Sequence, residues 1–377
     1  MRGEIVSKIA DIPAPDWDAC LPDEVENHAY YVACEGLSDL RFKMGAVRVV
    51  SGNSTLAVAP FICLDYRLDM SLKGLARAIT DGVIRLMPKL LTLRALALGS
   101  PFAERCHLGV AAGLSAGDQQ MAVTLLIQTL TEHGRSISAG LVGIKDLAAT
   151  DEAKHGSSLR RLGFARLASL PVAITDLPYQ TLDDYLASLS AKLREHMRRR
   201  NRRRTAVRFE LREDILSLEA EIHALYCSTQ AQSGEDFGDM EHLPSGYFGA
   251  VQRALPGRAL FALYWVGPTL AAFNLLLIEK NRVIDKYLGM RYPLAREHNL
   301  YYLRWMDAVS YCISHNIGSL QDGQTAYREK LRLGARLVPS GIWFKHKNPF
   351  INFLLRKFSP FLAFDRADPV LRGLPRE

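Results

Sequence analysis

The chain has 377 residues, of which 48% are hydrophobic and 23% charged, with a formal net charge of +7. This is the composition of a globular protein with two or three domains or one large one. Its longest apolar runs, 56–64 and 259–267, are far shorter than the roughly 18 to 20 residues that a membrane span needs. No apolar stretch follows the early charges of residues 1–20, so we expect no secretory signal and a cytoplasmic protein.

Familiar enzyme motifs are absent from the sequence. It has no P-loop, G-x-G-x-x-G, H-E-x-x-H or G-x-S-x-G pattern, which excludes the simplest nucleotide-binding, zinc-protease and serine-hydrolase readings. Its six cysteines form no C-x-x-C pair, so we expect them to be reduced.

Helix-like and strand-like segments alternate along the chain. Apolar residues at helical spacing predict helices at 74–92, 119–133, 181–204, 214–231 and 296–315. Short apolar runs predict strands at 45–50, 55–63, 259–266, 269–278 and 283–289. The sequence therefore predicts a mixed α/β fold, with a seam between two halves in the proline-containing stretch 168–181.

A weak internal similarity relates the two halves. Each contains a helix, a strand, a polar turn, a second helix, a Leu-Gly pair and a strand, in 131–167 and again in 313–338. This places Gly163 and Gly334 in matching positions. A repeat of that length indicates a duplicated domain rather than a solenoid unit, although helix-Gly-strand joins also recur by chance.

The stretch AKLREHMRRRNRRR, residues 191–204, holds eight basic side chains and one acid, and so carries +7. Removing it from the chain's 47 basic and 40 acidic residues leaves 39 of each. Charge confined to one element favours a local anion site over a broad nucleic-acid surface.

The helix carrying these arginines is predicted to begin at Thr181, where Asp184 completes a capping box. Its arginines at 194, 198 and 202 are in register to hold one phosphate group. The candidate partners are a cofactor diphosphate, a nucleotide-linked substrate, transfer RNA or anionic lipid, and the alternative is a solvated helix end. The proposed contacts to this partner are Arg194, Arg198, Arg199 and Arg202.

Two further segments allow more than one interpretation. The acid-rich stretch 233–242 could hold an amine, with Asp239 or Glu241 as acceptor or general base, or could be a solvated loop. We expect no metal there, because no pair of ligands has helical i, i+4 spacing. The apolar tail 348–377 could dock on the core, pair subunits or lie on a membrane surface.

Several motifs of the second half carry a family resemblance. They are AAFNL on the second predicted strand, KYLGM on the third, HNLYYLRW at the start of a helix, and DGQTAYREKLRLGA near the end. Together with IPAPDWDACL near the N-terminus, they resemble the GNAT-like acyltransferases over residues 10–347. The closer likeness is to the tandem branch, which includes the Fem-type peptidoglycan aminoacyltransferases and related predicted N-acyltransferases.

The resemblance implies two tandem GNAT-like domains, each a mixed sheet flanked by helices, at 1–175 and 176–347, with the tail at 348–377. It implies an N-acyltransferase that moves an acyl or aminoacyl group from a thioester or ester to an amine. The donor would be acyl-coenzyme A or aminoacyl-tRNA. A non-catalytic protein that retains the fold and binds RNA or a membrane surface is the alternative.

The same resemblance implies site residues. Lys330 matches a motif lysine, with Tyr327 beside it, and would stabilise an oxyanion or hold a donor phosphate. The pair Asp322–Gly323 would orient the amine or simply cap a helix. The strand beside the donor would contribute Lys286, Tyr287 and Gly289, and the following helix Tyr302, although strand and helix residues of these types also occur in cores.

This chain departs from the GNAT pattern at the phosphate loop. The glycine-rich loop that holds coenzyme A phosphates in single-domain members is replaced by MRYPLAREHNL, residues 290–300. The sequence therefore leaves the choice between coenzyme A and transfer RNA open.

Overall fold

The structure, a computed structural model, describes residues 1–67, 92–202, 204–233, 242–358 and 369–372. Its strands are β1 (Arg2–Val6), β2 (Lys43–Ser51), β3 (Ser54–Arg67), β4 (Thr92–Leu98), β5 (Gly109–Val110), β6 (Leu141–Ala148), β7 (Ala165–Ala168), β8 (Val172–Asp176), β9 (Val207–Arg212), β10 (Ala259–Val266), β11 (Thr269–Ile278), β12 (Arg282–Met290), β13 (Ser319–Asp322), β14 (Arg336–Val338) and β15 (Ser340–His346).

Helices flank these strands. They are α1 (Ala14–Cys20), α2 (His28–Glu35), α3 (Ala116–Ser136), α4 (Ala149–Arg161), α5 (Leu182–Ser188), α6 (Ala191–Arg202), α7 (Glu219–Ser233), α8 (Tyr247–Ala254), α9 (Leu294–Glu297), α10 (Leu300–Ser314), α11 (Tyr327–Arg332), α12 (Pro349–Phe358) and α13 (Pro369–Arg372). Short 3₁₀ turns lie at Ile9–Asp11, Arg204–Ala206 and Leu216–Leu218. No helix in the described ranges is long and apolar enough to cross a membrane.

The strands form two mixed sheets with the same order. The first sheet runs β1-β2-β3-β4-β6-β15-β7, with β5 paired to β3, and the second runs β9-β10-β11-β12-β13-β8-β14. Each contains one parallel pair, β4 with β6 in the first and β12 with β13 in the second. Glycines with φ of 88° and 89°, Gly163 and Gly334, precede the corresponding strands β7 and β14. The mixed α/β fold class and the matched glycines of the sequence analysis are confirmed.

The two sheets exchange one strand each across the predicted boundary at 175/176. Strand β8 lies between β13 and β14 in the second sheet, although it precedes α5 in the chain. Strand β15 lies between β6 and β7 in the first sheet. Each half therefore completes the other's sheet, so neither sheet is built from one continuous segment of the chain.

The predicted helix at 181–204 is two helices. Its capping box is present, because Thr181 Oγ1 accepts from Asp184 N at 3.1 Å and Asp184 Oδ2 accepts from Thr181 N at 3.0 Å. Leu189 then takes an extended ψ of 160°, and α6 starts two residues later. The apolar stripe continues through the break, with Leu193 and Met197 buried beside Leu189 in one hydrophobic cluster.

The other predicted elements have mixed outcomes. The predicted helices 119–133 and 214–231 correspond to α3 and α7, while 296–315 is divided between α9 and α10. All five predicted strands are present as β2, β3, β10, β11 and β12. The predicted helix 74–92 lies outside the described residues, except for Thr92, which begins β4.

Within the tail, helix α12 docks on the first sheet through one of its faces. Asn352 Oδ1 accepts from His346 N, and Asn352 Nδ2 donates to the carbonyl of Gly163, each at 3.0 Å. The opposite face leaves Phe350 and Phe353 exposed by 69% and 61%. This segment is thus anchored on one side and unpaired on the other.

Candidate active site

One cavity lies where both parallel strand pairs diverge. Strands β12 and β13 pair as far as Asp285 and Asp322, and β4 and β6 pair as far as Leu98 and Ile144. Beyond these points the chain lines a cavity of about 560 Å³ between the two halves. Strand β12 also carries a bulge here, because Leu275 pairs with Tyr287 and Leu276 with Asp285, which leaves Lys286 as the extra residue.

Four buried charged side chains form a network in the cavity wall. Arg304 from α10 donates to Asp285 of β12, and its Nη2 lies 3.6 Å from Asp322 Oδ2. Lys330 from α11 lies 3.4 Å from Asp322 Oδ1 and donates to the carbonyl of Gly323 at 2.7 Å. All four charged groups are at least 94% buried, so the two cations and two carboxylates neutralise one another away from water.

Burial changes the proton affinity of this network. It raises the pKa of Asp285 to about 7, because desolvation and the nearby Asp322 outweigh the charge of Arg304. Burial alone would lower the pKa of Arg304, but Asp285 and Asp322 raise it above its usual value, so the guanidinium stays charged. Asn274 Nδ2 donates to both oxygens of Asp285 at 3.0 Å and fixes the carboxylate plane. Asp285 can therefore gain or lose a proton near neutral pH while held in place.

A second buried cluster lies behind Lys286. Its Nζ lies 2.6 Å from Glu26 Oε1, and His107 Nε2 lies 3.6 Å from carboxylate oxygens of both Glu26 and Glu24. Burial and three nearby cations hold the pKa of His107 well below its usual value, so the ring is neutral. Burial also holds the pKa of Tyr31 well above its usual range. The Tyr31 hydroxyl, 2.6 Å from His107 Nδ1, can donate to that atom and leave Nε2–H directed at the carboxylates.

The first half contributes polar side chains to the same cavity. Ser169 Oγ donates to Asp146, and Lys145 pairs with the other oxygen of that carboxylate. Glu104 Oε2 accepts from Gln321 Nε2 at 2.6 Å. All of these except Gln321 line the cavity, so its two walls come from different halves of the chain.

The structure brings five of the predicted site residues to this cavity. They are Lys330, Asp322, Gly323, Lys286 and Tyr287. The ring of Tyr287 contacts those of Tyr226 and Tyr247, with centroids 5.5 and 5.3 Å apart.

Three other predicted residues are not among the cavity-lining residues of the described chain. The Tyr327 hydroxyl donates to the carbonyl of Pro171 at 2.9 Å and so ties the two halves together. Gly289 allows α7 to approach β12, because a Cβ there would lie 2.8 Å from the backbone carbonyl carbon of Leu225 in α7 and would also collide with the Phe273 ring of β11. Tyr302 donates to Glu329 Oε2 at 2.8 Å.

The arginine helix α6 also lies away from the cavity. Arg194 donates to the carbonyl of Ala187 at 3.0 Å, and Arg198 pairs with Asp183 at 3.0 Å. Arg199 and Arg202 are exposed and form no ion pair with any described residue. Asp239 and Glu241, the predicted amine contacts, lie outside the described residues. Their roles, and those of the arginines, stay predictions.

Sequence reasoning missed Asp285, Arg304 and Glu104. The first two interrupt apolar patterns, Asp285 within a buried strand and Arg304 four residues after the buried Leu300. A charge at a core-facing position was the available signal, because such a charge needs a partner. Glu104 had no local signal. In the described ranges, no cluster of three or more His, Cys, Asp or Glu side chains could hold a metal ion.

Solved structures share this architecture at low sequence identity. The structure of FemX is similar with a TM-score of 0.56 and 13% identity, over 88% of this chain and 98% of that one. The C-terminal domain of a proposed lysylphosphatidylglycerol synthetase from Agrobacterium fabrum has a TM-score of 0.55 and 12% identity, over 90% and 92% of the two chains.

A third similar structure is a tandem GNAT protein from the clavulanic acid biosynthesis pathway. Its TM-score is 0.51 at 11% identity, over 92% of this chain and 99% of that one. No family model and no curated protein sequence matches the chain. The matching strand orders of the two sheets and these three structures show that the chain has a tandem GNAT acyltransferase-like fold.

Proposed function

We propose that the chain is an N-acyltransferase, which moves an acyl or aminoacyl group from a thioester or ester donor to an amine. The observation that carries this proposal is the buried network of Arg304, Asp285, Asp322 and Lys330 in the wall of the cavity. It combines a group that exchanges a proton near pH 7 with fixed cations, and acyl transfer to an amine needs both. The acyltransferases among the similar structures support the same reaction class.

Asp285 is the proposed general base. An alkylammonium ion can attack an acyl carbon only after it loses a proton, and a base with a pKa of about 7 can accept that proton at neutral pH. The new C–N bond then replaces the C–S or C–O bond of the donor, and the leaving sulfur or oxygen takes the second proton that the attacking nitrogen gives up as the amide forms. Asn274 and Arg304 keep the Asp285 carboxylate in a single orientation throughout.

Lys330 is the proposed stabiliser of the oxyanion. An ammonium group carries three donors, and among the described residues Gly323 and Asp322 account for two. The third can reach the charge that develops on the acyl oxygen. Asp322 orients this ammonium, and we assign it that positioning role rather than contact with the amine.

The donor's phosphate contacts are proposed at two places. Arg296 is exposed at the cavity rim, where its guanidinium lies 5.1 Å from the Tyr292 ring, within the segment that replaces the glycine-rich loop. Arg198, Arg199 and Arg202 lie outside the cavity. A donor that reached both places would extend well beyond the cavity, as aminoacyl-tRNA does, whereas acyl-coenzyme A would need only the rim.

Replacing Lys330 tests the proposal. Lys330→Met keeps the side-chain length and removes the charge, and turnover should fall roughly 10²- to 10³-fold, the usual cost of one oxyanion donor. Turnover would be measured by mass spectrometry over a panel of acyl-coenzyme A and aminoacyl-tRNA donors with primary amines. The matched control is Lys345→Met, because Lys345 donates to the carbonyl of Leu162 outside the cavity. A folded Lys330→Met protein with undiminished turnover would contradict the proposal.

A non-catalytic protein that binds RNA or a membrane surface is the second candidate. The exposed Arg198, Arg199 and Arg202 and the exposed Phe350 and Phe353 favour it. Changing the three arginines to glutamine should then flatten the salt dependence of binding to RNA or anionic vesicles, because fewer counterions are released. Under this candidate no donor and amine pair would give turnover, and Lys330→Met would leave binding unchanged.

A further inference from the structure

The acidic side chains on the cavity wall differ in how their charge is balanced. All but one face a cation, and these pairs are Asp146 with Lys145, Asp285 with Arg304, and Asp322 with Arg304 and Lys330. Glu104 is the exception, since it forms no ion pair with any residue in the described ranges. The cavity therefore presents one carboxylate whose charge the described side chains leave uncompensated.

The position of Glu104 is nevertheless fixed. Gln321 Nε2 donates to Glu104 Oε2 at 2.6 Å, and Gln321 Oε1 accepts from Arg282 Nη1 at 3.0 Å. Because the arginine can only donate, this pair of bonds determines which end of the amide faces Glu104. Arg282 itself is paired with Glu24 and Glu279, so its charge is already balanced.

The second oxygen of Glu104 is directed toward the proposed catalytic network. A Cβ placed on Gly323 would lie 3.3 Å from Glu104 Oε1, so this oxygen lies beside Gly323. The carbonyl of the same residue accepts from Lys330. The negative charge of Glu104 also contributes to the raised pKa of Asp285. Glu104 thus keeps one oxygen without a hydrogen-bond partner among the described residues, and its charge lies within electrostatic range of Asp285.

We propose that Glu104 binds the acceptor amine as an ammonium ion, which makes the acceptor a cationic primary alkylamine. This inference rests on the proposed function and names the substrate class of that site. A carboxylate held by a neutral amide is a strong acceptor for an ammonium group, and Glu104 is half-buried, so water screens that charge-assisted hydrogen bond only in part. Asp285, whose pKa the charge of Glu104 helps to raise, takes one proton from this ammonium ion before attack. Neutral aromatic amines and alcohols are poor ligands for the same reason.

Binding of n-butylammonium tests this assignment without turnover. At pH 7.5, ligand-observed NMR should show that the wild-type protein binds n-butylammonium and binds the isosteric n-butanol at least roughly 10-fold more weakly. Glu104→Gln keeps the shape and the contact with Gln321 but removes the charge, and the Kd should rise roughly 10- to 100-fold. Glu329→Gln is the matched control, because Glu329 bonds Tyr302 and Arg332 away from the cavity.

Three results would overturn the assignment. The first is equal affinity of Glu104→Gln and the wild type for n-butylammonium, including no detectable binding by either protein. The second is equal affinity of the wild type for n-butylammonium and n-butanol. The third is a loss of n-butylammonium affinity in Glu329→Gln as large as that in Glu104→Gln. Should Glu104→Gln not fold, Glu104→Asp keeps the charge but withdraws it by one methylene, and a smaller loss is expected.

Failure of this inference and failure of the proposed function give different results. If n-butylammonium binding depends on Glu104 but no donor supports turnover, the acyltransferase proposal is wrong and the cation site is supported. If turnover is observed but the KM for the amine is unchanged in Glu104→Gln, the acyltransferase proposal is supported and the role of Glu104 is wrong.

Discussion

The two sheets have the same strand order but place different residues where their parallel strands diverge. In the second sheet the last paired residues are Asp285 and Asp322, and Arg304 lies against both. In the first sheet the corresponding residues are Leu98 and Ile144, which are fully buried and apolar. The backbone opening is thus a property of the fold, whereas charged residues at the last paired positions occur in only one copy of it.

The first sheet's own charged pair lies two residues further along the chain. Asp146 is bound by Lys145 and Ser169, and the lysine side chain keeps 23% of its surface exposed. In the second sheet the cation is only 2% exposed. This difference in solvent access predicts that the same loss of charge has unequal consequences in the two halves.

Removing the buried cation should have the largest effect on stability. Arg304→Met leaves Asp285 and Asp322 facing each other without their shared partner, and breaking a buried pair in this way costs about 3 to 5 kcal/mol. Lys145→Met in the first half should cost roughly 1 to 2 kcal/mol, because it leaves one buried carboxylate rather than two and Ser169 still donates to it. Urea unfolding of both variants gives the two free energies of unfolding.

An exposed pair provides the control for this comparison. Arg336 and Asp176 are each more than half exposed, so Arg336→Met should cost no more than about 1 kcal/mol. Equal losses of unfolding free energy for Arg304→Met and Lys145→Met would show that the solvent access of the cation does not determine the cost of removing it.

The pH dependence of stability should also distinguish the halves. The pKa of Asp285 is raised from 3.8 to about 7 on folding, so the folded state binds the extra proton between those values. Its contribution to stability is therefore fully present below pH 4 and is lost as the pH rises toward 7, by at most about 1.4 kcal/mol per pH unit. Asp285→Asn should lack this slope, whereas Asp146→Asn should keep it.

Urea midpoints measured from pH 4 to 8 give this difference directly. The same ionisation should control catalysis, because Asp285 acts as a base only when it is ionised. We expect kcat/KM to rise with pH through about 7. If the free energies of unfolding of the wild type and Asp285→Asn differed by the same amount at every pH from 4 to 8, Asp285 would be ionised throughout that range.

Local sequence patterns predicted most of the fold. Short apolar runs located β10, β11 and β12, and the Thr181 capping box located the start of α5, because each depends on neighbouring residues alone. The break between α5 and α6 was missed, since the apolar stripe through Leu189, Leu193 and Met197 continues across it. The strand exchange was missed as well, because no local sequence pattern indicates which sheet β8 or β15 belongs to.

The candidate site was less accessible to sequence reasoning. Lys330 and Asp322 came from the family resemblance, and the cavity contains both. Asp285 and Arg304 are 19 residues apart and recognise each other only after folding, so no spacing rule connects them. Charge density drew attention to α6 instead, yet that helix lies outside the cavity. Local charge indicates where an anion could bind, whereas catalysis depends on long-range pairing.

A final prediction concerns the glycines at matching positions of the two halves. Gly163 and Gly334 both have left-handed backbone, with φ of 88° and 89°, directly before β7 and β14. A Cβ meets nothing closer than 3.4 Å at the first and 3.8 Å at the second, so the cost of alanine comes from the backbone alone. Each Gly→Ala change should cost about 1 to 2 kcal/mol, and the two losses should agree.

Gly117→Ala, in the first turn of α3 with ordinary φ, should be neutral or slightly stabilising. Thermal unfolding of the three variants measures these changes, and a clear difference between Gly163→Ala and Gly334→Ala would show that the two glycines do not serve the same purpose.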